Sequence, residues 1–245
     1  ILKMKKVISY TSIALIGLSM LACSPKKDKT EEIANNVSHI TIDQVLNKMV
    51  KYNTTYDIDS NEYKTVAIGK YEWFAQNLRV TKLNDGTPIL NITDNATWGK
   101  TKEPAYASYN NEKVNEVNGL LYNHKTVATQ KICPEGWQVA NDSVWTNLIK
   151  TVKGEEKAAI ALKCSKVWGE EQEATNETGF SAVPAGFRER DGKFHIMGQN
   201  AIWWSATEHN ENNGMYYFID KNSSLNHSHI ERTVGLNIRC VKEIK

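Results

Sequence analysis

The sequence predicts a loop-rich α+β domain with short antiparallel strands and one or two helices. Apolar and polar residues alternate over short stretches that end at turn residues, which is typical of β-hairpins. Residues 142–153 instead carry apolar side chains at helical spacing. All seven tryptophans lie between Trp73 and Trp204, so the packed core is expected within that part of the chain.

Length and composition indicate one sizeable domain with appendages. The chain has 245 residues, of which 40% are hydrophobic and 24% charged, as in ordinary globular proteins. The formal net charge is +2. It falls to −1 if residues 1–22, which hold Lys3, Lys5 and Lys6 and no acid, are removed. Because no basic stripe suits a polyanion, nucleic acid is not an expected partner.

The N-terminal segment is typical of a bacterial export signal. In MKKVISYTSIALIGLSMLAC (4–23), two lysines precede an apolar run over 13–21, and Met4 is the expected start. The run is shorter than the roughly 20 residues that a membrane-spanning helix needs. Met20-Leu21-Ala22-Cys23 resembles a lipobox, which implies a signal peptide over 1–22 and acylation of Cys23, palmitate included. The alternative is an ordinary signal peptide that contains a cysteine.

The residues after Cys23 divide into a tether, a lead-in and a domain. Residues 23–39 are charged and poor in apolar side chains, so we expect a flexible tether attached to membrane lipid through Cys23. Ser24 favours the outer membrane as the destination. Residues 40–56 form a short helical lead-in, because Val45, Leu46, Met49 and Val50 fall on one helical face. The domain occupies 57–245.

Within the domain, the strand and helix signals follow one another in order. YKTVAIGKYEWFAQNL (63–78) alternates and turns at Gly69-Lys70, which predicts a hairpin. Further short strands are expected at 119–127, 179–188, 201–208, 215–220 and 234–242. Asn141 or Asp142 caps a helix over about 142–153, and a second short helix follows near 155–163. The first helix presents one apolar stripe: Trp145, Leu148, Ile149 and Val152.

Six motifs in order resemble the Fibrobacter succinogenes major paralogous domain over roughly residues 57–243. They are TVAIGKYEWFAQNL, GLLYNHKTV, CPEGWQVANDSVW, TGFSAVPAGFR, WWSATE and NIRCVK. This family is commonly found on bacterial lipoproteins, is similar to the C-type-lectin-like fold and has no established reaction. The resemblance therefore implies a C-type-lectin-like α+β domain, distantly similar to formylglycine-generating enzymes.

The resemblance also implies a disulfide between Cys133 and Cys240. A reactive Cys133 is disfavoured, because a thiol nucleophile needs a nearby base and the closest preceding histidine is His124. Cys164 is expected to be a buried apolar residue, with an intermolecular disulfide as the alternative. Trp137 is expected to be buried against the Cys133–Cys240 bond.

Two groups of residues have some features of a metal site. Asp57 begins a stretch like a calcium loop, but Glu62 replaces the required glycine, so a turn is the better interpretation. His227 and His229, with His209 nearby, suit a polar hairpin tip better than a metal site. We therefore predict no metal, no cofactor and no catalytic residues, and hence no enzyme.

Candidate ligand-binding residues lie in the irregular stretch 165–214. Trp168, Arg188 and Trp204 are the candidates, since an exposed aromatic or guanidinium group on a loop often binds ligand. For Arg188 the alternative is a structural hydrogen bond to carbonyl oxygens. Trp203 and Trp204 should point to opposite faces of a strand, one of them into the core.

These observations predict an outer-membrane lipoprotein with a non-catalytic, lectin-like binding or adhesion domain for a glycan or an envelope protein. The surface could face the periplasm or the medium. The alternatives are a remote formylglycine-generating-type enzyme and a structural component of an envelope complex.

Overall fold

The computed structural model describes residues 29–169, 173–220 and 224–244, so the expected signal peptide and Cys23 lie outside it. These residues form a loop-rich α+β fold, as predicted. Among them, no helix is long and apolar enough to cross a membrane. The helices are α1 (Lys29–His39), α2 (Ile42–Val45), α3 (Asn95–Trp98), α4 (His124–Ala128), α5 (Asp142–Thr151) and α6 (Glu155–Leu162).

The strands are short and almost all antiparallel. They are β1 (Asn53–Tyr56), β2 (Glu62–Ile68), β3 (Tyr71–Phe74), β4 (Leu90–Asn91), β5 (Ala105–Ala107), β6 (Leu121–Tyr122), β7 (Gln138–Val139), β8 (Phe187–Arg188), β9 (Phe194–His195), β10 (Ala201–Glu208), β11 (Asn213–Ile219), β12 (Leu225–Glu231) and β13 (Cys240–Glu243). The main sheet has the order β1-β2-β3-β13-β7, and a second sheet has the order β10-β11-β12. Two small sheets, β4-β5-β6 and β8-β9, complete the set within the described residues.

The last strand of the chain lies inside the main sheet rather than at its edge. β13 pairs with β3 on one side, where Val241 faces Trp73, and with β7 on the other, where Cys240 faces Val139. The predicted hairpin over 63–78 supplies β2 and β3, which turn at Gly69. The C-terminal strand therefore joins the start of the domain to the segment that leads into α5.

The predicted disulfide is present. Cys133 is bonded to Cys240 across 107 residues, which confirms the pairing that the resemblance implied. Trp137, expected to be buried against this bond, is only half-buried, with its ring 4.8 Å from that of Phe74. In the chain-entropy account, closing a loop of this size stabilises the fold by about 4–5 kcal/mol.

Two core clusters lie on opposite faces of the second sheet. The first core cluster includes Trp73, Trp145, Phe180 and Trp203. The second core cluster includes Tyr63, Phe74, Trp204 and both bonded cysteines. Trp203 and Trp204 do point to opposite faces, but neither is exposed, because each face of β10 is covered by one cluster.

The two predicted helices are confirmed. Asn141 caps α5 by accepting a hydrogen bond from the Val144 amide, and Trp145 and Leu148 are buried beneath the helix. α6 ends at Leu162, close to the predicted boundary. The stretch 119–127 is not one strand, because Asn123 caps α4 directly after the two-residue β6.

The N-terminal predictions need correction. Residues 29–39, expected to belong to the flexible tether over 23–39, form α1, and its Val37 is completely buried. In the lead-in over 40–56, only α2 is helical, and β1 follows it. Val45 is buried but Met49 is 93% exposed, because the chain leaves the helical conformation at Leu46 and the predicted stripe is never formed.

Removing the disulfide tests how much it contributes to the free energy of unfolding. The double variant Cys133→Ala/Cys240→Ala should lose about 2–5 kcal/mol of unfolding free energy, since the unfolded chain is no longer constrained. Urea titration followed by tryptophan fluorescence, in oxidising and reducing buffer, measures this loss. The wild-type chain should lose stability on reduction and the double variant should not; equal stability of both in oxidising buffer would contradict the prediction.

Candidate functional site

Trp168, the first predicted ligand residue, is buried. Only 5% of its surface is exposed, and its Nε1 donates to the carbonyl oxygen of Ala182 at 2.9 Å. The ammonium of Lys163 lies 5.0 Å from the ring centre. The indole therefore holds the loop after α6 against the first core cluster, and its ring is not available to bind a ligand.

Arg188 is also completely buried, in a cage of carbonyl oxygens and aromatic rings. Its guanidinium donates to the carbonyl oxygens of Gly192, Ile92 and Thr93 and to the side chain of Asn95. The rings of Trp98 and Phe194 lie 4.4 and 4.8 Å from its central carbon. Burial lowers the pKa of Arg188 to about 10, so the group stays charged at neutral pH. The structural alternative, hydrogen bonding to carbonyls, is the arrangement observed.

Trp204 completes the set of predicted ligand residues and is fully buried as well. Its Nε1 donates to the Tyr122 carbonyl oxygen at 2.7 Å, and the ring of His124 packs edge-on at 4.9 Å. Burial lowers the pKa of His124 to about 4, so this imidazole is neutral. Trp168 packs on the first core cluster and Trp204 on the second, so the structure does not bring the predicted ligand residues together.

The remaining cysteine is buried, and three histidines pack against other rings. Cys164 is buried, as predicted, and burial raises the pKa of its thiol to about 11. His209 and His229 stack face to face with ring centres 3.8 Å apart, and His227 packs beside Tyr217. Across residues 29–169, 173–220 and 224–244, no three His, Cys, Asp or Glu side chains are grouped to hold a metal ion.

A groove that the sequence did not single out lies beside the disulfide. Its outer wall carries Tyr56 and Ile58, which are 57% and 44% exposed. Its volume is about 200 Å³. We call this surface the tyrosine groove; it is lined by Tyr56, Asp57, Ile58, Val80, Lys82, Asn84, Ile132, Cys133, Pro134 and Glu135.

Two aspartates hold the outer wall of the tyrosine groove in place. Asp57 accepts hydrogen bonds from the amides of Asp59 and Asn61 and from the hydroxyl of Tyr63. Asp59 accepts from the amide and hydroxyl of Thr81 at 2.6 and 2.7 Å and pairs with Lys82 at 3.1 Å. Burial alone would raise the pKa of Asp59, but these bonds outweigh it and lower that pKa. The turn that resembles the start of a calcium loop is thus closed by its own hydrogen bonds.

The floor and far wall of the groove depend on the disulfide. Val80, Ile132 and Cys133 are almost fully buried beneath it. The Asn84 amide donates to the Cys133 carbonyl oxygen at 3.3 Å, and the exposed Glu135 lies two residues after Cys133. The groove therefore combines an exposed aromatic ring, an apolar floor and both signs of charge on a fixed backbone.

A second cavity lies between β4 and the segment that contains α3. It has a volume of about 430 Å³ and opens widely to solvent. Leu90, 48% exposed, forms one side and the chain at Lys100 the other. We call it the Leu90 cleft. It offers amide, hydroxyl and ammonium groups but no aromatic ring, and it is lined by Leu90, Asn91, Ile92, Ala96, Thr97, Lys100 and Thr101.

The described residues thus define a disulfide-closed, loop-rich α+β protein whose terminal strand lies within its main sheet. The chain belongs to the Fibrobacter succinogenes major domain family, whose model matches residues 66–242. This confirms the family that its motifs resemble. No curated protein and no solved structure shows significant similarity to the chain.

The structural assignment of Arg188 can be tested against a matched neighbour. Arg188→Lys should reduce the free energy of unfolding by about 2–4 kcal/mol, because a single ammonium cannot replace the planar set of donors that four oxygens require. Arg190→Lys, at a side chain that is 63% exposed and paired with Glu231, should change it by less than about 0.5 kcal/mol. Thermal and urea unfolding measure both. Equal, small losses would show that the buried cage does not stabilise the fold.

Proposed function

We propose that the protein is an outer-membrane lipoprotein whose domain binds a glycan, without catalysis, in the tyrosine groove. The observation that carries the proposal is the exposed ring of Tyr56 in a groove that has an apolar floor and is also lined by Lys82 and Glu135. A sugar ring has an apolar C–H face that packs on an aromatic ring, and hydroxyl groups that bond to charged and amide side chains. The groove is smaller than the roughly 300–1,000 Å³ of drug-sized pockets, so it suits one sugar unit of a longer chain.

The position of Tyr56 is set before any ligand arrives. Its hydroxyl donates to the Glu62 carboxylate at 3.2 Å, and Lys64 pairs with the other oxygen of Glu62 at 2.6 Å. Asp57, next along the chain, is anchored by the turn described above. Because little has to be ordered on binding, more of the contact free energy is available as affinity.

A protein ligand is the second candidate, favoured by the sheet edge next to the groove. β1 is the outermost strand of the main sheet, and most of its residues are exposed. An uncovered edge strand can pair with an extended segment of another chain. An envelope protein could therefore add a strand at β1 while inserting a side chain into the groove.

The enzyme alternative finds less support in this arrangement. Formylglycine-generating enzymes, as the resemblance implies, use a pair of cysteines to bind their metal. Here Cys133 and Cys240 are bonded to each other, and Cys164 is buried with its thiol held protonated. The role of a structural component without a ligand corresponds to a negative result in the binding test below.

Glycan binding can be assigned to one cavity by a matched pair of variants. Tyr56→Ala should weaken binding of an array-selected glycan by about tenfold or more, as expected for an aromatic contact at the centre of a site. Leu90→Ala, at a residue of similar exposure in the Leu90 cleft, should leave the affinity unchanged. Isothermal titration of both variants with the selected glycan gives the two affinities.

The opposite pattern, with Leu90→Ala weakening binding and Tyr56→Ala silent, would move the site to the Leu90 cleft. Absence of any glycan in the array, together with a partner recovered by cross-linking in cells, would replace the glycan with a protein. Both outcomes overturn the glycan site proposed here.

Lipid anchoring is tested separately, at Cys23. Cells fed an alkyne-tagged palmitate should label the wild-type protein and Cys164→Ala, and they should not label Cys23→Ala, because only Cys23 follows the lipobox-like residues. The labelled forms should sediment with membranes, since buried acyl chains contribute about 0.8 kcal/mol per CH₂ group. Labelling that survives Cys23→Ala would refute acylation at this residue.

A further inference from the structure

α1 packs on the domain although most of its side chains are polar. Val37 is fully buried, and Ile33 and Ala34 lie half-buried against the first core cluster. The helix passes very close to Gly198, where an added Cβ would lie 2.8 Å from the Ala34 nitrogen. Gly198 has φ +82°, which also favours glycine, so the contact depends on that residue twice over.

Two asparagines from a distant loop hold the C-terminal end of α1. The Asn118 amide donates to the Val37 carbonyl oxygen at 3.2 Å. The Asn115 amide donates to the carbonyl oxygens of Ser38 and Ile40 at 2.9 and 3.2 Å. The last carbonyls of a helix have no partner within it, so these bonds satisfy groups that would otherwise need water. α1 is therefore part of the folded domain.

This packing shortens the connection to the membrane, if Cys23 carries lipid as proposed above. With a flexible segment up to Ile40, an extended chain from Cys23 could reach about 60 Å. With α1 docked, only the residues between Cys23 and Lys29 remain, and their extended reach is about 20 Å. α1 packs on the first core cluster. The side of the domain that contains this cluster is then the side nearest to Cys23.

The path of α1 defines which surface faces the lipid. Ile33 lies 3.1 Å from the position that a Cβ would take on Gly169. Lys29, the first residue of α1, is one helical turn before Ile33. Ser165 and Lys166, which precede Gly169 by four and three residues in the sequence, are both exposed. The floor of the tyrosine groove belongs to the second core cluster, across the second sheet from α1.

We propose that docked α1 holds the domain within about 20 Å of the bilayer, with the surface around Gly169 facing the lipid and the tyrosine groove facing away. The partner of this surface is the membrane to which the same chain is attached. The arrangement leaves the groove accessible to a glycan that does not belong to that membrane surface.

Energy transfer to the membrane tests the orientation. The chain from Cys23 onward, which keeps every described residue, is coupled through the Cys23 thiol to a maleimide phospholipid in phosphatidylcholine–phosphatidylglycerol vesicles. A donor fluorophore is placed by a non-canonical residue at position 166 or at position 135, and the vesicles carry an acceptor-labelled lipid. Cys164 does not compete for the maleimide, because it is buried and protonated.

The expected result is a clearly higher transfer efficiency at position 166 than at position 135. Val37→Asp, which places a carboxylate in the core, should release α1 and abolish the difference. Asn36→Asp introduces the same carboxylate on the exposed side of the helix and should preserve it. If Val37→Asp unfolds the domain, Ile33→Asp at a half-buried position serves in its place.

Equal transfer at both positions in the unaltered chain would overturn the proposal, as would a difference that persists in both Val37→Asp and Ile33→Asp. Because the lipid is attached chemically, these outcomes concern α1 alone. Failure of acylation in cells would appear only in the palmitate experiment at Cys23.

Discussion

The structure depends on the placement of one short segment, Ile238 to Val241, between the two core clusters. Side chains along it alternate, as in any extended chain. Ile238 and Cys240 join the second core cluster, whereas Val241 joins the first and Arg239 reaches Phe180 and Trp203 of that cluster. Cys240 is fixed covalently to Cys133 on one side, and Arg239 is fixed by hydrogen bonds on the other. Loss of both attachments would leave β13, an interior strand of the main sheet, held only by its ladder bonds and the packing of its apolar side chains.

Arg239 shows how a protein with so little regular structure satisfies its backbone. The guanidinium is fully buried and donates to the carbonyl oxygens of Phe74, Phe180 and Ser181 and to the side-chain oxygen of Asn77. Irregular segments leave carbonyl groups without ladder partners, and each buried one requires a donor. One arginine supplies five N–H groups in a rigid plane. Burial lowers the pKa of Arg239 to about 9, which leaves it charged near neutral pH.

Arg188 repeats the same solution in the small β8-β9 region. Uncharged oxygens accept its hydrogen bonds, and aromatic rings cover its faces. Both arginines occur in motifs that carry the family resemblance, GFR and NIRCVK. At both positions the arginine is needed to bond buried oxygens of the protein itself. The guanidinium of Arg188 is therefore not available to a ligand.

Sequence reasoning succeeded where the signal was local. The helix α5 was predicted from its cap at Asn141 and from the spacing of Trp145 and Leu148, since both features act within a few residues. The disulfide was predictable only from the resemblance to the family, because spacing alone does not pair Cys133 with Cys240. Trp168 and Trp204 were mistaken for surface residues because their loops, which look irregular in sequence, pack against core clusters built from other segments.

The features that carry the proposed function were out of reach for a complementary reason. The groove combines Tyr56, Val80 and Pro134, and no local pattern joins three segments so far apart. The docking of α1 rests on Asn115 and Asn118, about 80 residues farther along, so a mostly polar segment appeared unable to pack. In both cases the decisive contacts join residues that are far apart in the sequence, for which local hydrophobic periodicity gives no indication.

The disulfide links the groove to the compartment in which the protein would work. Cys133 contributes to the groove floor, and its carbonyl oxygen accepts the hydrogen bond that positions Asn84. A reducing environment would release Cys133 from β13 and with it the wall formed by Pro134 and Glu135. Disulfides persist in the periplasm and outside the cell and are rare in the cytosol. The Cys133–Cys240 bond is therefore compatible with the exported location proposed above.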